Sequence, residues 1–382
     1  MKKMLYDISR LLLALFMASA LSTGFSACGG EETEPVAGQT PGAGDEGDNT
    51  DTPPEGTPLP PDVDTFFAKG ADVSWLTLQE AGGEKFYDAA GNPADAMRVL
   101  RDECGVNAVR LRVWVNPADG YCSPSETLAK ALRAKALGLP VMIDFHLSDS
   151  WADPGKQTPP AAWAGLPPQL MADAVRSHVV ETLYAMALEG VDVRWVQIGN
   201  ETASGMLWEA GRVQGSSAGS FPLFLNAGYD AAKGVYPDAQ VIVHLDRGQD
   251  AALYSWFFPL IAGQGAKFDI IGMSLYPEKG TWPEQTDNDA VDSCIANMNS
   301  LYSIFHKPVM LCEIGFHYTR GAEAARVIRK IMTSYAPLKG IFYWEPQASP
   351  GFNGGYNKGA FVGGRPNGAL APFTDSEIKV TI

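Results

Sequence analysis

The sequence predicts an α/β protein built as a (β/α)8 TIM barrel, and two observations carry this prediction. Eight short apolar runs follow residue 66, rich in Val, Ile, Leu and aromatic residues, as expected of strands buried on both faces. Segments of helical period separate these runs, and strand–helix alternation repeated eight times closes a parallel sheet into a barrel. A doubly wound open sheet is the alternative. Its nucleotide-binding form is disfavoured because no Gly-rich phosphate loop follows the first run.

The boundaries of the elements follow from the same pattern. The predicted strands are Phe66–Trp75, Ala108–Trp114, Pro140–Leu147, Val193–Glu201, Gln240–Asp246, Asp269–Tyr276, Pro308–Phe316 and Gly340–Glu345. The clearest helical periods are Ala94–Cys104, Glu126–Leu137, Pro167–Glu189, Phe221–Val235, Ala290–Phe305 and Ala322–Tyr335. Gly105, Gly138 and Gly190 each follow a predicted helix, as expected of glycine that ends a helix in the left-handed conformation.

Length and composition are those of a protein with a large core. The chain has 382 residues, of which 46% are hydrophobic and 19% are charged, which excludes a fully disordered chain and a small disulfide-stapled protein. The formal net charge is −15, so nucleic acid and anionic membrane surfaces are poor candidates for partners.

The first residues read as an export signal rather than as part of the fold. Lys2, Lys3 and Arg10 give a positive start, and the apolar run Leu11–Leu21 is too short to span a bilayer. Small residues and Cys28 follow, and the pattern resembles a bacterial lipoprotein signal in which Cys28 becomes lipidated. An ordinary secretory signal cleaved nearby is the alternative.

A tether is predicted after the signal. Residues 29–64 hold ten acidic residues and no Lys or Arg, and they are rich in Gly, Pro and Thr, so they cannot bury enough apolar surface to fold. Acidic residues directly after Cys28 favour an outer-membrane lipoprotein that faces the cell surface. The predicted organisation is therefore a lipoprotein signal at residues 1–27, a disordered acidic tether at 28–65 and the barrel at 66–382.

The remaining four cysteines leave two possibilities open. Cys104, Cys122, Cys294 and Cys312 do not have the spacing of a zinc site, and an exported chain permits disulfides. A bond between Cys294 and Cys312 and buried free thiols are both compatible with the sequence.

Polar residues stand at the carboxyl ends of nearly all the predicted strands, where barrel enzymes keep their functional groups. Among them, Glu201 ends the fourth strand and Glu313 lies on the seventh. Two carboxyl groups across a sugar-sized gap are what glycoside hydrolysis needs, one protonated and one ionised. The alternative for each is a structural ion pair with Arg110 or Arg112.

The sequence around these residues resembles a known family. The pair Asn200-Glu201 with Glu313 is similar to the pattern of retaining (β/α)8 glycosidases, and residues 66–373 resemble the endo-β-1,4-galactanases of glycoside hydrolase family 53. The most specific stretch is Ser148–Pro154, which reads Ser-Asp-Ser-Trp-Ala-Asp-Pro. Further matching stretches are Gly70–Ser74, Val109–Pro117, Ile143–His146, Leu207–Trp208, His244–Asp246, Ser274–Pro277 and Tyr343–Pro346.

The resemblance implies a retaining endo-hydrolase of β-1,4-galactan, with Glu201 as acid/base and Glu313 as nucleophile. Asn200 would hydrogen-bond the 2-hydroxyl of the sugar. Arg110 would keep the pKa of Glu313 low, while a drier setting would raise that of Glu201. The residues expected to bind substrate or to support this pair are Asn200, Arg110, His146, Asp149, Trp151, His244, Asp246, Tyr276 and Trp344.

No cofactor is expected. Some bacterial members of the family carry calcium on long loops near the last two strands, but residues 350–364 lack a cluster of Asp and Asn with oxygen-ligand spacing. We therefore expect no calcium, and a monomer. Two other functions stay open: a mannanase or cellulase of the same clan, and a non-catalytic glycan-binding lipoprotein on a decayed barrel.

Overall fold

The computed structural model describes residues 66–279, 285–334 and 337–378. The chain divides into two units, Met1–Asp62 and Val63–Ile382, and all described residues belong to the second. The predicted lipoprotein signal, Cys28 and the whole predicted tether lie outside the described residues. Within the described part, no helix has the length and apolar character needed to cross a membrane.

Eight parallel strands form a closed barrel, as the sequence predicts. The strands are β1 (Ala68–Asp72), β2 (Ala108–Val113), β3 (Val141–Phe145), β4 (Val193–Ile198), β5 (Gln240–Leu245), β6 (Ile270–Leu275), β7 (Val309–Ile314) and β8 (Leu338–Trp344). Each strand pairs with its neighbours in chain order, and β8 closes the ring by pairing in parallel with β1. The last strand begins two residues before its predicted start at Gly340.

Eight helices surround the barrel in the described part of the chain. They are α1 (Leu76–Ala81), α2 (Ala96–Cys104), α3 (Pro124–Ala136), α4 (Pro168–Leu188), α5 (Phe221–Val235), α6 (Ala251–Ala262), α7 (Asn288–Phe305) and α8 (Gly321–Met332). Six of them confirm predicted helices. No clear helical period marks α1, which has only one and a half turns, or α6, which is apolar on most sides and therefore lacks contrast between its faces.

The predicted helix ends are confirmed by backbone conformation. Gly105 follows α2 with a φ of +72°, and its N–H donates to the carbonyl of Leu100. Gly138 and Gly190 follow α3 and α4 with φ of +71° and +64°. Non-glycine residues pay a steric penalty in this left-handed region, which explains why glycine stands at these three positions.

A layer of apolar side chains fills the lower part of the barrel interior. Its members come from all eight strands: Ala68, Ala108, Met142, Trp195, Ile242, Ile270, Met310, Cys312 and Phe342. The Trp195 and Phe342 rings meet edge to face, with centroids 6.0 Å apart. This layer closes the barrel from below, so its polar side chains gather at the opposite, carboxyl end of the strands.

All four described cysteines are buried free thiols. The possible bond between Cys294 and Cys312 is not formed, and the fold explains why. Cys312 points into the barrel interior, whereas Cys294 on α7 belongs to the core between the helices and the outer face of the sheet. The strand wall lies between the two sulfur atoms, because successive side chains of a strand point to opposite faces.

Candidate active site

A single guanidinium organises the centre of the barrel mouth. Arg110, on β2, is 1% exposed and forms ion pairs with three carboxylates. Its Nη1 lies 2.8 Å from Asp72 Oδ2 and 3.0 Å from Glu313 Oε1, and its Nη2 lies 2.9 Å from Asp144 Oδ2. Three buried carboxylates around one cation leave the site with excess negative charge. This charge favours the protonated form of any further carboxyl group nearby.

Glu313 lies on β7 with both carboxyl oxygens bound. Besides the ion pair of Oε1 with Arg110, Oε2 accepts a hydrogen bond of 2.9 Å from the Tyr276 hydroxyl. Burial raises the pKa of Glu313, and Arg110 and Tyr276 oppose that rise. The expected low pKa is therefore not what the structure gives, because burial outweighs the cation. Both partners nevertheless favour the ionised form of Glu313.

Glu201 follows β4 in a rare backbone conformation. Its φ is +45°, and the preceding Gly199 has a φ of +82°. Conformations of this kind cost on the order of 1–3 kcal/mol for a residue other than glycine and persist only where the surroundings impose them. They turn the chain sharply at the strand end and direct the Glu201 side chain over the barrel mouth.

The surroundings of Glu201 favour its protonated form. Burial is the main cause that raises the pKa of Glu201 to about 8, and the charge of Glu313 is the second cause. The only hydrogen bond to its carboxyl group in the described residues comes from Ser274 Oγ, at 2.7 Å from Oε1. Glu313 has a cation and a phenol beside it, whereas Glu201 has one hydroxyl. Glu313 therefore ionises first, and Glu201 keeps its proton near neutral pH.

Asn200 is fixed by its amide partners. Its Oδ1 accepts from Arg110 Nη2 at 3.0 Å and from Gln197 Nε2 at 3.2 Å, and its Nδ2 donates to the carbonyl of Ala152 at 2.9 Å. Donors on one side and a carbonyl on the other determine which amide atom is the oxygen. Asn200 is thereby held at the edge of the cleft beside Glu201.

These groups open into a cleft of about 370 Å³, a volume in the range of small-molecule sites. Its lining combines the carboxyl pair with aromatic and polar side chains: His146, Trp151, Ala152, Asp153, Asn200, Glu201, Tyr276, Glu313, Trp344, Tyr356 and Lys358. Glu313 therefore faces the cleft in addition to pairing with Arg110. The alternative, in which Glu313 is only a structural ion-pair partner, does not describe it.

Aromatic rings build one wall of the cleft. Trp75 is buried behind this wall, with ring centroids 4.9 Å from Trp344, 5.3 Å from Tyr356 and 5.9 Å from Trp151. The Arg112 guanidinium stacks on Trp151 at 4.1 Å from the ring centroid. Such packing holds Trp151 and Trp344 in place as flat surfaces against which the apolar face of a sugar can stack.

Comparison with protein-family models identifies residues 68–336 with "Glycosyl hydrolase family 53". The chain belongs to glycosyl hydrolase family 53. Among curated relatives in this family, a probable arabinogalactan endo-beta-1,4-galactanase A of Neosartorya fischeri is 30% identical over 73% of this chain and 83% of its own. An arabinogalactan endo-beta-1,4-galactanase of Thermothelomyces thermophilus is 30% identical over 73% of this chain and 89% of its own.

Solved structures of family 53 agree with the fold. The catalytic domain from Ignisphaera aggregans is 30% identical, with a TM-score of 0.71 over 82% of this chain and 97% of that one. A structure from work on two fungal beta-1,4-galactanases is 27% identical, with a TM-score of 0.72 over 80% of this chain and 98% of that one. In both comparisons, nearly all of the other chain matches this one.

The structure brings together most of the residues that the sequence singles out for the family 53 site. Seven of them line the cleft: His146, Trp151, Asn200, Glu201, Tyr276, Glu313 and Trp344. Arg110 and His244 lie beneath the lining, where they contact cleft residues rather than the cavity. Each therefore supports a side chain of the lining and does not itself line the cleft.

Two predicted site residues are not among the lining residues of the cleft. The Asp149 oxygens accept from the backbone N–H groups of Asn116 at 3.0 Å and Ala161 at 2.8 Å, so Asp149 connects loops at the mouth. Asp246 Oδ2 pairs with Arg247 Nε at 2.8 Å. Asp246 also lies near enough to Glu201 for its charge to raise the pKa of that residue.

Sequence reasoning missed several residues of the site. Asp72 and Asp144 complete the set around Arg110, and Tyr356 and Lys358 bring the loop after β8 to the cleft. Trp75 follows directly after the Gly70–Ser74 stretch, and its place at a strand end was the available signal. No local pattern pointed to Tyr356 or Lys358, because they lie in a Gly-rich loop. Within the described residues, no group of three or more His, Cys, Asp or Glu could hold a metal ion.

Proposed function

We propose that this family 53 enzyme is an endo-β-1,4-galactanase that cleaves β-1,4-galactan and type I arabinogalactan with retention. The observation that carries the proposal is the unequal pair at the cleft: Glu313 is bound by a cation and a phenol, and Glu201 is half-buried with a raised pKa. The names of relatives over the same barrel support the substrate class.

In the first step, the ionised Glu313 attacks the anomeric carbon of the galactose unit while Glu201 gives its proton to the leaving oxygen. The bond to the leaving sugar breaks, and a galactosyl ester on Glu313 forms. Arg110 and Tyr276 then no longer face a full carboxylate. In the second step water replaces Glu313 at the anomeric carbon, and Glu201 takes up the proton of that water.

The change of role of Glu201 follows from its electrostatic surroundings. The negative charge of Glu313 is one cause of its raised pKa. When Glu313 becomes an ester this charge disappears, so the pKa of Glu201 falls and the carboxylate becomes available as a base. One residue thus serves as acid and base because its neighbour loses charge between the two steps.

The open cleft and its aromatic wall favour an internal stretch of polysaccharide. Trp151 and Trp344 offer flat apolar faces, and galactose presents C–H groups that suit them. The test is incubation with β-1,4-galactan, β-mannan and carboxymethylcellulose, with reducing ends measured over time. We expect release from galactan alone, with a rapid fall in chain length. Release from mannan or cellulose only would reassign the substrate, and no release from any of them would favour a glycan-binding protein.

We also propose that the enzyme is a monomer held at the outer membrane through a lipid on Cys28, facing outward. This rests on the signal-like residues 1–27 and on the acidic composition of residues 29–64. A tether of this length lets the barrel reach polysaccharide away from the membrane surface.

A further inference from the structure

Three contacts join Glu201 to strands β5 and β6. Ser274 Oγ, on β6, lies 2.7 Å from Glu201 Oε1 and 2.8 Å from His244 Nε2, on β5. His244 Nδ1 in turn lies 3.5 Å from the backbone nitrogen of Glu201. These contacts form a ring that starts at the backbone nitrogen of Glu201 and ends at its carboxyl group. Ser274 and His244 are both buried.

The direction of each hydrogen bond follows from the donors present. The Glu201 N–H can only donate, so His244 Nδ1 accepts from it. A neutral imidazole then carries its hydrogen on Nε2, which donates to Ser274 Oγ. The single hydroxyl hydrogen of Ser274 is left for Glu201 Oε1. All three bonds run the same way around the ring.

The other tautomer of His244 has a competing contact. Nδ1 also lies 3.1 Å from Asn200 Oδ1 and could donate to it. That oxygen already accepts from Arg110 Nη2 at 3.0 Å, so it is satisfied without His244. The Glu201 N–H has no second acceptor among the described residues. Because backbone donors are rarely left unpaired, the tautomer with hydrogen on Nε2 is favoured.

We propose that Ser274 and His244 are positioning residues that hold Glu201 Oε1 through this hydrogen-bond circuit and leave Oε2 facing the cleft to exchange the catalytic proton. The inference rests on the proposed function, since it assigns the fixed oxygen of the proposed acid/base. The hydroxyl of Ser274 suits both half-reactions. It can donate to the carbonyl oxygen of the protonated carboxyl group, and it donates more strongly to the carboxylate.

The circuit works with a neutral imidazole. Burial and the neighbouring Arg110 lower the pKa of His244, so this ring adds no positive charge that would remove the proton of Glu201. Other groups that act on Glu201 electrostatically must stay constant in any test. These are Arg110 on β2, Glu313 on β7, Asp246 after β5, and the phenols Tyr254 and Tyr276.

The kinetic test compares Ser274→Ala with Ser274→Thr, which keeps the hydroxyl. With alanine, we expect the alkaline limb of kcat/KM to move to higher pH, because the Glu201 carboxylate loses its donor. Galactan hydrolysis should fall by about 10- to 100-fold, and an aryl galactobioside with a good leaving group should lose little. Threonine should restore both the limb and the rate. A limb that moves to lower pH, or does not move, would overturn the proposal.

The second test reads the tautomer without using activity. Nitrogen-15 NMR of the full chain labelled at histidine reports which ring nitrogen carries hydrogen, and the His244→Gln spectrum assigns the signal among the five histidines. We expect His244 with hydrogen on Nε2. Hydrogen on Nδ1 would overturn the circuit even in an active enzyme. A chain that shows the Nε2–H tautomer but does not cleave galactan would overturn the proposed function and leave the circuit standing.

Discussion

Glu201 and Glu313 differ in chemistry because their neighbours differ. Arg110 and Tyr276 bind both oxygens of Glu313, whereas a single hydroxyl binds Glu201. The same residue type therefore ionises at different pH on two strands of one barrel. The sequence pattern placed both residues at strand ends, and the family resemblance implied Arg110 beside Glu313, but nothing in it pointed to Ser274 as the partner of Glu201.

Removing the acid should affect substrates unequally. In Glu201→Ala we expect galactan hydrolysis to fall by about 100-fold or more, because its leaving sugar needs protonation. An aryl galactobioside with an acidic phenol leaves without a proton, so formation of the galactosyl ester should be nearly unchanged. Glu313→Gln serves as the matched control. It should lose hydrolysis of both substrates while still binding galactan. Equal losses on both substrates in Glu201→Ala would remove that residue from the role of acid.

Removing the phenol beside the nucleophile should change one limb of the pH profile. The free enzyme is active in the pH range where Glu313 is ionised and Glu201 is still protonated. Its surroundings raise the pKa of Glu201 to about 8, so activity falls as pH rises through that value. Tyr276→Phe removes a donor that lowers the pKa of Glu313, so the acid limb of kcat/KM should move to higher pH. The rate should fall by about 10- to 100-fold at the optimum. A shift of the alkaline limb instead would show that Tyr276 affects the ionisation of Glu201 rather than that of Glu313.

At the scale of the elements, glycines make room for the rings that fill the barrel. A Cβ added at Gly70 on β1 would lie 2.1 Å from the Phe342 ring carbon Cδ1 on the adjacent β8. Real Cβ atoms do not approach so closely, so the packed Phe342 ring or the backbone must shift. The packing of the lower layer therefore requires glycine at position 70 as well as the apolar side chains themselves.

The expected cost can be measured against a control in a helix. Gly70→Ala should lower the free energy of unfolding by about 1–3 kcal/mol, the usual cost of overpacking a core. Gly234→Ala, near the end of α5, meets no atom within 4 Å and should stabilise by about 0.4–1 kcal/mol. Denaturant unfolding of the two variants beside the wild type gives both values. A Gly70→Ala variant as stable as Gly234→Ala would mean that Phe342 can move freely.

At the scale of the whole molecule, the alternation of apolar runs and helical periods was enough to predict the barrel. Residues at strand ends were predictable because parallel strands bring their carboxyl ends to one mouth. Trp75, Tyr356 and Lys358 were not, because contacts between distant loops decide where they lie. The contacts of Asp149 were equally hidden, since a carboxylate near a strand end can bind a sugar or a backbone N–H with the same chemistry.

Attachment to a membrane should be separable from catalysis. Cys28→Ala removes the proposed lipid site, and the enzyme should then leave the membrane fraction. Its rate on soluble galactan should stay within about twofold of the wild type, since residues 29–64 lack the apolar surface to pack on the barrel. Fractionation and a reducing-end assay measure the two properties independently. A variant that remained with the membrane would show that another segment anchors it.

In the proposed mechanism, Glu313 forms a covalent galactosyl ester while Glu201 exchanges the proton. Two displacements at the same carbon restore its configuration, whereas one direct attack by water inverts it. Proton NMR of the first products from β-1,4-galactan, recorded before mutarotation, distinguishes the two courses. We expect the β-anomer to form first and the α-anomer to grow later. An initial α-anomer would contradict double displacement and recast Glu313 as a general base.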